Sequence, residues 1–508
     1  MTRVLSLGLD GAAWHALDRM IDEGRLPNLA ELVRTGTRAP LESVTPPVTC
    51  PAWRCSTSGK NPGKLGVFWW LDLDREMGDL ASPDADSFAT ADVWDYLSEA
   101  GYRNAVLNVP MTFPPGELAG TMVSGFGASF DLGTGDESIT WPPEFEERLR
   151  DEYDWKVGVD DVTTPAGVEE TYDLIRSRFD LLEDLLDGDY DYLHLTVFYI
   201  NMLQHKYGAG PETARGWELI DERVGRLDLD DTLLVLYSDH GHREVDRTFV
   251  VNRWLAERGH LALESRASDG VTSRLYAGMQ RAGVSPKRAA ALARRLLPGD
   301  LADRLLPSGY PISTAELAAR VDWGATDAVA LSQGPLYLNR ERLGDDYGHF
   351  RTRLRRTLTG LTHEGEPVLD AVRPAENVYE GPYVEDGPDL LLRPAAGWEV
   401  YGGIVPSVFD TGVGSWTSGN DPEGVLLLNG PGVPSQELGE RSLLDVAPTV
   451  LRVLDVPVPT DVDGSAVTAA FPNRDFGTDV REPLPADRHG RTDDEDLTER
   501  LVDLGYLE

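Results

Sequence analysis

Cysteine and lysine are nearly missing from this chain. Two cysteines, Cys50 and Cys55, in 508 residues exclude a disulfide framework, and five lysines leave a basic set made almost wholly of arginine. Positive charge is scarce overall, because 47 Lys+Arg against 86 Asp+Glu give a formal net charge of −39. Such a surface repels nucleic acid and anionic membranes, which excludes a nucleic-acid polymer as partner. The acid is spread along the whole chain rather than gathered in one tail. That spread has the look of a salt-adapted, halophilic proteome and speaks of habitat more than of partner. No apolar run approaches the roughly 18 to 20 residues of a membrane span, and no repeat or heptad array is visible. Met1-Thr2-Arg3 leads into an apolar strand with no signal-peptide core. Together these absences predict a cytoplasmic protein with no membrane span. Its length calls for one large α/β domain with insertions, or for two domains.

What is present is a strand with an abrupt end. Thr232 to Tyr237 is an unbroken apolar run closed by Ser238-Asp239-His240-Gly241-His242, the pattern of a buried central strand that delivers metal ligands to the carboxyl end of a sheet. An isolated Asp-His pair reads equally well as a turn whose Asp caps a helix. A second strand of the same design, Val4-Leu5-Ser6-Leu7-Gly8-Leu9 followed by Asp10-Gly11, favours the metal. Two strands that each end in an acid can converge on one cation.

Around these two runs the chain alternates. Trp14 to Val33 has helical periodicity, broken at Gly24 and restarted at Pro27. The prolines of Thr45-Pro46-Pro47-Val48-Thr49-Cys50-Pro51 present Thr49 just before a helix start, where it is an N-cap or a nucleophile, and the cap is the commoner role on local sequence. Lys60 to Gly66 reads as a loop, and Phe68-Trp69-Trp70 as core or pocket lining. A helix is expected over Val93 to Ala100 and a strand over Arg103 to Val109, then surface loops from about Pro114 to Ala166. The Glu169–Asp187 segment puts Tyr172, Ile175, Phe179, Leu182 and Leu186 on one helical face. It feeds a strand over Asp191 to Tyr199, after which Asn201 and His205 share a face four residues apart. Pro211 to Leu227 is a helix. Residues 265–321 read as a helical insertion, sheet-like runs return at Asp327–Leu338, Asp389–Arg393 and from Val425, and Leu443 to Leu454 is the last clear helix. The expected division is 1–264 and 322–471 as two parts of one α/β core, 265–321 as a cap, and 472–508 as an acidic tail with a short helix at Asp496–Leu504.

In this order the chain resembles the alkaline phosphatase superfamily, in particular its type I phosphodiesterase and nucleotide pyrophosphatase branch. The resemblance is carried by Leu9-Asp10-Gly11, Thr49-Cys50-Pro51-Ala52-Trp53, Gly59-Lys60-Asn61-Pro62-Gly63-Lys64-Leu65-Gly66, Ser238-Asp239-His240-Gly241, Val251-Asn252-Arg253-Trp254-Leu255 and Leu444-Asp445-Val446-Ala447-Pro448-Thr449. It implies an α/β fold, a doubly wound and mostly parallel sheet sandwiched by helices, with divalent metals (Zn, Mn or Mg) at the carboxyl ends of the strands. It also implies that Asp10, Asp239 and His240 hold one metal and that Thr49 is the nucleophile. The expected chemistry is phosphodiester or phosphomonoester hydrolysis of a small-molecule phosphate ester through a phospho-threonine, because a Thr hydroxyl is a poor nucleophile until a cation stabilises its alkoxide.

The second metal is where the sequence departs from that pattern. The family offers Asp, His and a later His, while the matching positions here read Asn201, His205 and Asn420. An amide can ligate through its carbonyl, but an anion and an imidazole are lost, which weakens a borderline ion such as Zn²⁺; Asp421 or His242 could compensate. Trp70 falls where the pyrophosphatase branch carries a substrate-binding Asn, and Lys60 and Lys64 lie near the nucleophile in sequence, where they would steer an anion or simply belong to a solvated loop. Three alternatives stand beside the hydrolase. One is an inactive relative that binds a phosphorylated ligand through one metal. Another is a sulfatase, disfavoured because Thr49 replaces the required Cys or Ser and Arg54 comes one residue late. The last is a phosphomutase, which expects a Ser nucleophile.

Overall fold

The computed structural model describes residues 3–74, 79–125, 138–159, 161–264, 313–314, 317, 320–411 and 417–486. Its centre is a ten-stranded sheet in the spatial order Gln436–Glu437, Thr37–Glu42, Glu423–Asn429, Thr232–Tyr237, Arg3–Leu9, Tyr192–Val197, Asn104–Leu107, Gly120–Val123 and Thr140–Trp141, with Arg441–Ser442 also pairing on Thr37–Glu42. The five strands from Thr232–Tyr237 to Gly120–Val123 are parallel. Glu423–Asn429 and Thr140–Trp141 add antiparallel neighbours at either side. Arg3–Leu9, Tyr192–Val197 and Thr232–Tyr237 are buried along almost their whole length, as parallel strands covered on both faces must be. This is the mostly parallel α/β architecture expected from the apolar runs.

The two strands read as ligand carriers are neighbours, Gly8 pairing with Tyr237, so Asp10 and Asp239 leave the sheet side by side at its carboxyl edge. The helices Trp14–Asp22 and Pro27–Thr35 break and restart as the glycine and proline require. In Pro165–Leu186 the five apolar residues of the expected stripe are all buried.

Several expectations need correction. Residues 114–166 are not all surface loop: Gly120–Val123 and Thr140–Trp141 extend the sheet, and Phe145–Tyr153 is a helix. Two- and four-residue strands are too short to show a period, and that helix buries only Leu149, so it has no apolar stripe to read. Lys60–Gly66 contains a single helical turn, Pro62–Leu65, capped by the Asn61 side chain on the Gly63 N–H. The runs at 327–338 and 389–393 do not join the central sheet. They build a separate antiparallel sheet in the order Ala328–Ala330, Pro335–Leu338, Leu390–Pro394, Leu369–Pro374, on which Tyr347–Thr359 packs with Phe350, Leu354 and Leu358.

A third sheet completes the site. The strand Gly241–Val250 pairs in parallel with Gly397–Tyr401 and antiparallel with Phe409–Asp410 and Ser418–Asp421. The helical insertion expected over 265–321 lies almost wholly outside the described residues, as does the tail beyond 486 with its expected helix. Before that point Val480–Arg481 pairs with Val458–Pro459, so this part of the tail is wrapped onto the body. Among the described residues no helix is long and apolar enough to cross a membrane.

Candidate active site

Asp10 follows the first strand directly, and its conformation depends on two glycines. At Gly8 a Cβ would lie 2.4 Å from the Trp53 ring, so only glycine lets that ring lie against the strand. Trp53 Nε1 in turn donates to Asp10 Oδ2 at 2.9 Å. Gly11 has φ +68°, and a Cβ there would meet Asn201 Oδ1 at 2.4 Å. Its N–H donates to Asp239 Oδ1 at 3.3 Å. Each carboxylate thus has one oxygen held by a donor, and the other, Asp10 Oδ1 or Asp239 Oδ2, is buried without a partner.

His240 faces both free oxygens. Its Nε2 lies 3.8 Å from Asp10 Oδ1 and 3.3 Å from Asp239 Oδ2. The three side chains form a fully buried group whose ligand atoms all lie within 4.8 Å of one another. The tautomer follows from the other ring nitrogen, since His240 Nδ1 is 2.8 Å from the Gly241 carbonyl, which can only accept. Nδ1 therefore carries the proton and Nε2 offers a lone pair. Burial pushes the imidazole down to about 4, so the ring is neutral. Burial pushes Asp239 up to about 8 against the Gly11 and His240 backbone N–H groups, and burial with the Asp239 charge raises Asp10 well above the carboxylate range. Three lone pairs pointing at one position, with no cationic side chain among them, fit a divalent cation. Without one, the carboxylates bear a large desolvation cost.

Thr49 completes the cluster. Its Oγ1 is 3.1 Å from His240 Nε2, to which the hydroxyl donates. Val48, not Thr49, is the N-cap of the helix Thr49–Ser58, and no side chain caps that end; the cap reading of Thr49 is therefore set aside. Placing the hydroxyl on the first helical residue leaves it free to turn into the site, at the positive end of the helix. The helix is buried along its whole length and clamped at its far end, where the Asp463 and Gly464 N–H groups both donate to the Gly59 carbonyl. Asp445 fixes that clamp by accepting from the Ser465 N–H at 2.7 Å and the Ser442 N–H at 3.1 Å. Asn252 has a scaffold role of the same kind, binding Ala330 through both its amide atoms at 2.6 and 2.9 Å.

The second half of the site is made of amides and imidazoles. Asn201 and His205 lie on Tyr199–Tyr207, where Asn201 Nδ2 meets His205 Nε2 at 3.1 Å and Asn201 Oδ1 accepts from Gln204 Nε2 at 3.3 Å. The expected metal-binding carbonyl of Asn201 is therefore turned to Gln204, and its nitrogen faces His205. Asn420 is brought in by the Ser418–Asp421 strand; its Nδ2 donates to the Pro47 carbonyl at 2.7 Å and its Oδ1 is buried without a partner. His242 pairs directly with Asn420 across the strands, a register that no local sequence pattern reveals.

Lys60 and Trp70 are not part of this arrangement. Lys60 is buried beyond the far end of the Thr49–Ser58 helix and is committed to Asp461 at 2.6 Å. Lys64 likewise pairs with Asp463 and the Asp461 carbonyl. Trp70 is a core residue, 1 % exposed. Cys50 is buried packing beside Thr49.

The family model described as type I phosphodiesterase / nucleotide pyrophosphatase matches residues 4–407. The chain belongs to that family. Solved structures agree with the fold. Murine ectonucleotide pyrophosphatase/phosphodiesterase 5, solved as an inactive Thr-to-Ala variant in complex with AMP, is 12% identical with TM-score 0.53, over 92% of this chain and 98% of that one. Phosphonoacetate hydrolase from Sinorhizobium meliloti 1021 in complex with phosphonoformate is 15% identical with TM-score 0.52, over 86% and 91%. Wild-type alkaline phosphatase PafA is 15% identical with TM-score 0.53, over 92% and 98%. No curated protein matches the chain. Family membership makes this phosphodiesterase-family chain a phosphoesterase of the alkaline phosphatase superfamily.

Proposed function

We propose that the chain hydrolyses a small phosphodiester or phosphomonoester with Thr49 as nucleophile and a divalent cation at Asp10, Asp239 and His240. The observation that carries this reading is the Thr49 hydroxyl 3.1 Å from an imidazole lone pair that also faces two unpartnered carboxylate oxygens. A cation bound there supplies the positive charge that activates the hydroxyl and offsets charge on the phosphoryl oxygens.

The chain's own residues do the rest. Trp53 and the Gly11 N–H hold the carboxylates in place, and the Gly241 carbonyl keeps the His240 proton away from the reacting face. The positive end of Thr49–Ser58 would favour the phosphoryl oxygens of a bound ester. Thr49 Oγ forms a bond to phosphorus as the ester P–O bond breaks, and the alcohol departs with a proton. Water then attacks the phospho-threonine, phosphate or its monoester is released, and the Thr49 hydroxyl is restored. A relative solved as an inactive Thr-to-Ala variant in complex with AMP supports both the nucleophile and a nucleotide-sized ester as substrate class.

The test is turnover of nitrophenyl phosphodiester and monoester with Mn²⁺, Mg²⁺ or Zn²⁺ in high salt, wild type beside Thr49→Ala. Loss of about 10³-fold or more in kcat is expected. Wild-type turnover equal to that of the variant would reject hydrolysis in favour of an inactive, ligand-binding relative.

A further inference from the structure

The helix Thr49–Ser58 carries Thr49, Trp53 and Ser56 four and then three residues apart, and so on one face. Each makes one polar tie to the central sheet. Thr49 reaches His240 and Trp53 reaches Asp10, while the Ser56 hydroxyl lies 3.1 Å from that of Tyr237, two residues before Asp239 on the strand that delivers it. Behind Tyr237 the sheet holds a histidine. His194 is fully buried in Tyr192–Val197, with Nε2 3.4 Å from both the Tyr237 hydroxyl and Thr196 Oγ1, and Nδ1 3.2 Å from the Tyr192 hydroxyl. Trp94 meets the imidazole edge-on.

The hydrogen bonds along this line have a fixed direction. Ser56 donates its one proton to the Trp53 carbonyl at 2.7 Å. Tyr237 therefore donates to Ser56, and its oxygen accepts from His194. Burial leaves the imidazole neutral, pushing it down to about 3, so its single proton is on Nε2 and Nδ1 accepts from Tyr192. The line ends on a carbonyl and never touches Thr49, so it carries no proton to the reacting atoms. Its polar groups also cost desolvation that an apolar pair would avoid. Directed bonds give instead what apolar packing lacks, a fixed height of one element over another. Arg54 and Thr57 bond to Asp92 from another side of the helix, which leaves the sheet side of its far half to Ser56.

We propose that His194, Tyr237 and Ser56 are positioning residues that fix the far half of the helix Thr49–Ser58 on the sheet, so that the Thr49 hydroxyl stays within reach of His240. A helix tied only at Thr49 and Trp53 can pivot about its first turn; the Ser56 tie, about 10 Å from Thr49 at 1.5 Å per residue, removes that freedom. The use of this device in turnover rests on the phosphoesterase reading, whereas the placement of the hydroxyl does not.

The test joins crystal structures of the full chain to ester turnover. In Tyr237→Phe the Thr49 hydroxyl should leave hydrogen-bond reach of His240, beyond about 3.5 Å. Tyr237→Phe and Ser56→Ala should each lower kcat about tenfold or more, with KM within about twofold and the melting temperature within a few degrees. His194→Phe/Tyr237→Phe should fall no further than Tyr237→Phe, because the line acts as a unit. His194→Gln, whose amide nitrogen can take the place of Nε2, should keep most of kcat, and His194→Asn, whose amide ends near Nδ1, should not. Unchanged kcat in Tyr237→Phe and Ser56→Ala, equal recovery by Gln and Asn at 194, or a hydroxyl still 3.1 Å from His240 in Tyr237→Phe would overturn the proposal. A displaced hydroxyl in Tyr237→Phe together with a wild type that hydrolyses no ester would instead overturn the phosphoesterase reading and leave the positioning line standing.

Discussion

The two halves of the site sit on one sheet edge and differ in charge. Asp10, Asp239 and His240 put two buried carboxylates and a neutral ring around one position, while His205, His242, Asn201 and Asn420 offer lone pairs and no anion. The carboxylate half is costly when empty, because desolvated like charges face each other. The amide and imidazole half carries no buried charge, and its N–H groups are met by Gly11, Ser418 and Pro47, leaving the Asn420 Oδ1 as its unsatisfied acceptor. The carboxylate half is therefore the one that would gain most from the proposed cation.

Exchanging charge between the halves should have the largest effect. Asp239→Asn should lower turnover by about 10³-fold or more, because it removes an anion from the half that faces Thr49. Asn201→Asp should act in the opposite direction. It adds an anion beside His205 and should tighten any divalent-ion binding there on the order of tenfold or more, read as the Co²⁺ concentration at half saturation. Equal and small effects of the two substitutions would mean that the halves are not distinguished by charge.

A smaller effect separates them by pH in the metal-free chain. Burial pushes Asp239 up to about 8 from 3.8, so the folded chain keeps a proton that the unfolded chain has released. Stability from this group is present at low pH and lost as pH rises from about 4 towards 8. Burial pushes His242 down to about 4 from 6.5, so the unfolded chain takes up a proton that the folded chain refuses. Stability from this ring is present above about 6.5 and lost as pH falls towards 4. Thermal melts across this range should show the alkaline slope flattened in Asp239→Asn and the acid slope flattened in His242→Gln. Adding Mn²⁺ should remove the alkaline slope of the wild type, since the cation keeps the carboxylate ionised.

The same contrast governs how much could be read from the sequence. Asp10, Asp239 and His240 were legible because each ends a long apolar run, and adjacent parallel strands bring run ends together. Asn201 and His205 were legible as a pair because four residues is one helical turn. His242 was legible only as a compensating candidate beside Asp421, since its place opposite Asn420 depends on a cross-strand register across 178 residues of chain. Thr49 was ambiguous locally, and position removes only its cap reading, because Val48 takes the cap while the hydroxyl turns to His240. Trp53 lies one helical turn after Thr49, and its bond to Asp10 depends on the missing Cβ of Gly8. The sheet edge at Gly120–Val123 was hidden because four residues carry too little periodicity.

The smallest expected effect on chemistry is at Lys60, and it tests whether charge outside both halves matters. A lysine that steers an anionic ester would raise KM several-fold when removed, with kcat unchanged. Lys60 instead follows the end of a ten-residue helix that begins at Thr49, about 16 Å from that hydroxyl-bearing residue at 1.5 Å per residue. There it is buried against Asp461 at 2.6 Å. Lys60→Met should therefore leave KM within about twofold and lower stability by about 1–2 kcal/mol, because Asp461 loses its partner but is partly exposed to water. Replacing Asp461 by leucine in the same chain should recover part of that loss, since two apolar groups leave no unpaired charge behind. A several-fold rise in KM for Lys60→Met, with no change in melting temperature, would instead return this lysine to the substrate path and extend the anion-binding surface beyond the two halves of the site.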